Sequence, residues 1–198
     1  VLIMSSYTYN DHYIQKINHT IRKALLIHNR VTAVRVDLRF PSENIFHFND
    51  SRVITRFFES LKAKINADLK RKNKIWKRNH ICPLSYVWVR EFGEINNKKH
   101  YHVLLLLNKD VYWGLGDFVK TEGTLYALIQ QAWCSAIGVN YPAERYLIHI
   151  PDNAITWLDN NKPNNESTIF ELNQRCRYLA KEHTKYYGDG ECSFGCSR

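Results

Sequence analysis

Two imidazoles separated by a single residue stand at His100 and His102. Residues two apart on a β-strand point to the same face, so these two rings can grip one divalent ion. Nine histidines make such a spacing easy to reach by chance, and two polar groups at the wet end of a hairpin would look the same. A carboxylate lies within reach, because Glu91 ends the preceding apolar segment. Directly opposed residues of an antiparallel pair share a face. Glu91 therefore joins the histidines only if it lies opposite one of them or diagonally between them. A slip of one residue turns it away and leaves Glu94, in the turn, as the substitute. Asp37 and Arg39 lie on the charged face of an earlier strand and either border the same site or meet solvent.

A second chemical element is the stretch from Arg177 to Lys185. Periodicity predicts a helix over 169–187. On it Tyr178, Lys181 and Lys185 fall at i, i+3 and i+7, one stripe beside the packing stripe of Leu172, Cys176, Leu179 and His183. A helical tyrosine more often packs a core or a rim than reacts. A free phenol has a pKa of about 10. An ammonium such as Lys181 favours the phenolate and the charge that builds on a reacting phosphate. Cys192 and Cys196 form a lone C-x3-C pair in the tail, poor grounds for a zinc site. No P-loop motif occurs, and no G-x-G-x-x-G follows a strand.

The elements that must position these groups are legible in outline. Residues 11–29 carry apolar groups at helical spacing after an Asn10/Asp11 cap, and residues 31–40 switch to period two. There Val34, Val36, Leu38 and Phe40 face one way and Arg35, Asp37 and Arg39 the other. From Asp50 the helical period returns, with Asn49, Asp50 and Ser51 as candidate caps. Residues 84–92 and 100–107 read as two strands joined by a polar turn, an antiparallel hairpin, and the run Val103–Leu107 predicts burial on both faces. Residues 124–137 read as a helix stopped by Gly138, and 146–150 as a short strand. Residues 159–168 read as loop and the tail from Gly188 as irregular. This mixture predicts one α+β domain on a central antiparallel sheet of about five strands with flanking helices.

The chain has 198 residues, enough for one domain with a sizeable core. Its 28 Lys and Arg against 19 Asp and Glu give a net charge of +9 and a pI near 9.3. That surplus favours an anionic partner, nucleic acid before a membrane surface. The densest basic stretch holds Lys62, Lys64, Lys70, Arg71, Lys72, Lys74, Lys77 and Arg78, with Asp68 as counter-charge. With Arg39 and Lys185 it is the expected surface for DNA. Tyr86, Trp88 and Tyr101 are candidate base-stacking rings, although core packing explains each as well. No apolar run approaches 18 residues, no basic-then-apolar leader opens the sequence, and five scattered cysteines do not form a secreted scaffold. No membrane association is expected, and a cytoplasmic location is. The oligomeric state is left open, a monomer included.

The strand ending in Glu91, the His100-Tyr101-His102 opening of an apolar strand and the later Tyr178-Leu179-Ala180-Lys181 string together resemble the HUH endonuclease superfamily of replication initiators, relaxases and single-strand transposases. More closely, VRVDLRF, YVWVREFGE, KKHYHVLLLLNKD, IQQAWCSAIG and YLAKEHTKYYGDG resemble the YagK/YfjJ C-terminal-type domain of prophages, shared with inovirus replication proteins. The resemblance runs from about residue 8 onward. It implies a two-layer fold related to the ferredoxin-like type, with Mg2+ or Mn2+ held by His100, His102 and an acidic residue, imidazoles suiting Mn2+ better. It implies Tyr178 as nucleophile, single-stranded DNA as substrate, and nicking and rejoining through a 5′-phosphotyrosine that initiates rolling-circle replication of a phage, prophage or mobile element in a bacterial host. Some members carry a second tyrosine four residues after the first; here that position is Glu182, which implies a single-tyrosine enzyme, with Tyr186 and Tyr187 nearby. The sequence holds no helicase domain, so unwinding falls to a host helicase in trans. The alternative is a binding module on the same fold that holds single-stranded nucleic acid, or a regulatory phage partner, without cutting.

Overall fold

The computed structural model describes residues 8–41, 50–93, 98–183, 185 and 187–197. The chain runs α1 (Asp11–Ile27), β1 (Arg30–Arg39), α2 (Val53–Trp76), β2 (Ser85–Phe92), β3 (Lys99–Asn108), α3 (Leu125–Ile137), β4 (Ile148–His149), β5 (Ile155–Asp159), α4 (Asn165–Cys176) and β6 (Phe194–Cys196). Short 3-10 turns cover Arg145–Leu147 and Arg177–Ala180. The expected Asn10 cap and the expected Gly138 stop both form, and Thr124 adds a cap beyond those expected. The Asn10 side chain accepts from the Tyr13 N–H and that of Thr124 from the Ala127 N–H, while Gly138 ends α3 at a φ of 69°. At α2 the N-cap is Arg52, without a side-chain cap, and Asp50 accepts the Arg52 N–H instead. Asn49 lies outside the described residues.

The strands form one antiparallel sheet in the order β4-β1-β3-β2-β6, with β5 also on β1. The α+β architecture is the one the sequence predicts. Two features exceed it. Among the described residues the sheet has six strands against an expected five or so, with β5 and β6 outside the stretches read as strands, and it is covered on both faces. Val34, Val36, Leu38, Tyr101, Val103, Leu105 and Leu107 pack against α2 and α3, including Phe57, Leu61, Ile129 and Trp133. Val31, Ala33, Val87, Val89, Leu104 and Leu106 pack against α1, α4 and the turn after it, including Ile21, Ala24, Leu172 and Leu179. Helices on both sides make three layers in place of two. The physical reason is β3 itself, whose apolar run needs cover on each face.

The last helix is shorter than its periodicity predicts. It stops at Cys176, tightens into the 3-10 turn, and turns extended at Lys181. Residues 8–10 compete for the backbone there. The Asn10 N–H donates to the Ala180 carbonyl at 2.8 Å, the Glu182 N–H donates to the Thr8 carbonyl, and Tyr9 and Lys181 form an isolated bridge. These long-range bonds replace the i to i−4 bonds that would continue the helix.

Candidate metal and nucleophile site

Strand register builds the site. On β1 and β3 Asp37 lies opposite His102 and Arg39 opposite His100; on β2 and β3 Glu91 lies opposite His100. His149 on β4 lies opposite Asp37. Opposed residues share a face, so four strands deliver these groups to one end of the face covered by α1 and α4. The condition set by the sequence for Glu91 is met. Glu94 lies outside the described residues.

The polar atoms converge. His100 Nε2 and His102 Nε2 are 3.2 Å apart, and His102 Nε2 is 3.3 Å from Glu91 Oε2. Among the described residues these three form the group whose ligand atoms all lie within 4.8 Å of one another. An ion bound at about 2.0–2.2 Å holds neighbouring ligands roughly 3.0–3.6 Å apart, and the two distances from His102 Nε2, to His100 Nε2 and to Glu91 Oε2, fall in that range. The rings are also oriented for it. His102 Nδ1 meets Asp37 Oδ1 at 2.6 Å, and His100 Nδ1 meets the Lys98 carbonyl at 3.1 Å. An Nδ1–H donated to each of those oxygens leaves both Nε2 atoms facing inward, the usual way metal-binding imidazoles are positioned. Cys192 and Cys196 join no such group among the described residues.

Charge balances locally. Burial works to raise the Glu91 pKa, but His102 and Lys185 outweigh it and hold the carboxyl down at about 2. Burial works against a charged His102, yet hydrogen bonds to Asp37 and Glu91 push it up to about 9, which favours a positively charged imidazole at neutral pH. His100 is shifted down, by burial first and by the neighbouring imidazolium as well. Asp37, bridging His102 and His149, titrates below the ordinary range although its burial opposes that.

Tyr178 sits in the 3-10 turn after α4, its ring centroid 5.3 Å from that of His102 and perpendicular to it. Burial raises its phenol pKa well above the usual value, and Arg35 pulls the other way from 6.0 Å off the ring centroid. Arg35 is fixed by the Asp152 and Asn153 carbonyls at 2.7 and 3.1 Å. Sequence reasoning set Arg35 on the charged face of β1 but assigned this role to Lys181. Because Lys181 is extended and bridged to Tyr9, it shares no helical stripe with Tyr178.

The expected DNA surface divides. Arg39 is exposed at the rim of a cleft of about 440 Å³ that opens on His100, His102 and Asp37. Lys185 is buried, its ammonium 2.6 Å from Glu91 Oε1, so it belongs to the site interior and not to a surface. Lys62, Lys70, Lys74, Lys77 and Arg78 are exposed on α2 and just beyond it. Arg71 and Lys72 both pair with Asp68, and Lys72 is largely covered over the Tyr112 ring. This stretch lies on the opposite face of the sheet and beside the far end of β3, where Lys72 reaches the Val111 carbonyl. Six residues of strand, about 20 Å, separate that end from His102. Tyr101 is buried, Tyr86 stacks on Phe58, and Trp88 packs edge-on to Tyr101, so these rings serve the core. Tyr186 lies outside the described residues, and the Tyr187 hydroxyl donates to Glu182. No helix among the described residues is long and apolar enough to cross a membrane.

The chain is 37% identical over 195 residues to the uncharacterized protein YfjJ of Escherichia coli (strain K12), covering 94% of this chain and 93% of that protein. It is 38% identical over 193 residues to the uncharacterized protein YagK of the same strain, covering 94% and 92%. No solved structure matches it. The sequence profile of the YagK/YfjJ C-terminal domain matches residues 2–197, and the chain belongs to that family.

Proposed function

We propose that the protein is a divalent-metal-dependent nickase of single-stranded DNA, of the HUH endonuclease type, acting in the replication of a phage, prophage or mobile element. The observation that carries this reading is the meeting of the Tyr178 ring with His102 in a converged Glu91-His100-His102 set. A phenol beside a two-histidine, one-carboxylate set is suited to attack on a phosphodiester. Mg2+ or Mn2+ held by those three residues would polarise a phosphate oxygen as a Lewis acid.

The chain's own residues supply the rest. Tyr178 Oη bonds to phosphorus as the bond from phosphorus to the 3′-oxygen breaks. The phenol loses one proton and the departing oxygen gains one, so the step is proton-neutral. The product ester keeps a phosphodiester's energy, so a later 3′-hydroxyl can reverse it. Arg35 favours negative charge on the phenol oxygen against the burial that opposes it. Lys185 keeps Glu91 ionised and aimed through its other oxygen.

A labelled single-stranded oligonucleotide library tests this. Tyr178→Phe is expected to abolish the covalent adduct while leaving DNA binding within about twofold, and His102→Ala to reduce cleavage and its response to Mn2+. Adduct that persists in Tyr178→Phe and disappears in Tyr186→Phe overturns the nucleophile. DNA binding with no metal-dependent nicking on any substrate overturns the nickase in favour of a binding module.

A further inference from the structure

The register gives the site three levels along β1: Arg35 opposite Leu104, Asp37 opposite His102, and Arg39 opposite His100. Successive levels are about 6.6 Å apart. Tyr178 occupies the lower two, against Arg35 and His102. The cleft occupies the upper two and the space beyond, lined by Arg39, Lys98, Phe40 and Tyr146 together with His100 and His102. The nucleophile and the cleft therefore lie on opposite sides of the imidazoles along the strand axis.

The cleft's lining is suited to a nucleotide. Its volume of about 440 Å³ falls in the ~300–1,000 Å³ range of small-ligand sites. Arg39 is exposed and makes no ion pair among the described residues, and Lys98 is exposed on the same rim. Tyr146 is 67% exposed, while Phe40, also in the lining, packs edge-on against Trp133. Cations at a phosphate position beside an accessible aromatic ring are how unpaired nucleotides are held.

We propose that this cleft seats the nucleotide on the leaving side of the scissile phosphate, the one whose 3′-oxygen departs. In-line displacement puts the leaving oxygen opposite the attacking one. A phosphate at His100 and His102 attacked by Tyr178 then directs its 3′-linked sugar and base into the cleft. The choice of side rests on Tyr178 being the nucleophile; nucleotide binding in the cleft does not.

Calorimetric titration of the full chain with thymidine 3′-monophosphate and thymidine 5′-monophosphate, in Mn2+, tests the inference. The 3′-compound is expected to bind about tenfold tighter. Tyr146→Ala is expected to cost it about tenfold, the size of one base–ring contact, with Tyr146→Phe restoring it and Mn2+ affinity unchanged in both. Arg39→Ala is expected to weaken both compounds. Equal affinity, a preference for the 5′-compound, or indifference to Tyr146→Ala overturns the subsite. A 3′-preference in a protein that nicks nothing keeps the cleft and removes the nickase. Nicking through Tyr178 without the preference keeps the nickase and removes the subsite.

Discussion

His102 is held between two carboxylates, Asp37 on its Nδ1 and Glu91 near its Nε2. The two partners do different work. Glu91 belongs to the candidate ligand set, whereas Asp37 holds the ring through Nδ1 and is itself steadied by His149. Removing the Asp37 charge while keeping its shape should therefore weaken the ion without deleting a ligand. Asp37→Asn is expected to lower Mn2+ affinity roughly 10- to 100-fold with the fold intact, as read by calorimetry and circular dichroism. Unchanged affinity would show that Asp37 does not position the ring. Arg35, Lys185 and Asp37 all act on the site through another side chain, and a motif of ligands and nucleophile passes over each of them.

Two elements depend on contacts that span the chain. The tail strand β6 joins β2 at its edge, where Gly195 lies flat on the Trp88 indole; a Cβ there would sit 2.6 Å from Trp88 Cε2. The ring has Tyr101 on its other flank and cannot retreat freely. Gly195→Ala is expected to unseat β6 at a cost of about 1–3 kcal/mol, with faster amide exchange at Trp88 and Arg90, whose N–H groups face β6, than elsewhere in the sheet. At the far end, Asp68 on α2 accepts from the Tyr112 hydroxyl at 2.8 Å and pairs with Arg71 and Lys72. Burial works to raise its pKa, but the bonds from Lys72, Arg71 and Tyr112 outweigh it and lower it. A depressed carboxyl stabilises the fold above its ordinary pKa of about 3.9 and loses that contribution as pH falls through the lower folded value. Asp68→Asn should thus destabilise the protein at neutral pH and flatten its acid unfolding limb below about pH 4. A parallel shift of the whole limb would contradict the pairing.

Across the molecule as a whole, the strongest run of positive charge and the candidate site stand on opposite faces and at opposite ends of the sheet. A strand bound along Lys70 to Arg78 is therefore not thereby delivered to Tyr178. The two surfaces should separate experimentally. Replacing Lys70, Lys74, Lys77 and Arg78 with Gln is expected to weaken binding of long single strands. It should also reduce the slope of log affinity against log salt by roughly 0.7 for each phosphate that is no longer neutralised. Nicking of an oligonucleotide too short to span the sheet should stay within about twofold. Loss of nicking on the short substrate would show that the basic run belongs to the site after all.

Pattern along the chain was sufficient for the α+β class, the hairpin, the shared face of His100 and His102 and the condition on Glu91. All of these follow from the period of two along a strand and from short separations across a turn. Helical spacing alone favours a packing role for Tyr178; its candidacy as nucleophile rests on the family resemblance, and the folded chain does not extend the helix that far. What surrounds the phenol came only with the assembled fold, since Arg35 is remote from it in sequence and meets it where the turn after α4 packs on that face of β1. The same holds for Lys185, which periodicity places on an open stripe. Residues 8–10 end that helix, and the chain beyond it carries the ammonium inward to Glu91. Local periodicity fixes which face a residue takes within its own element; which elements meet is settled by competition among distant backbone and side-chain partners.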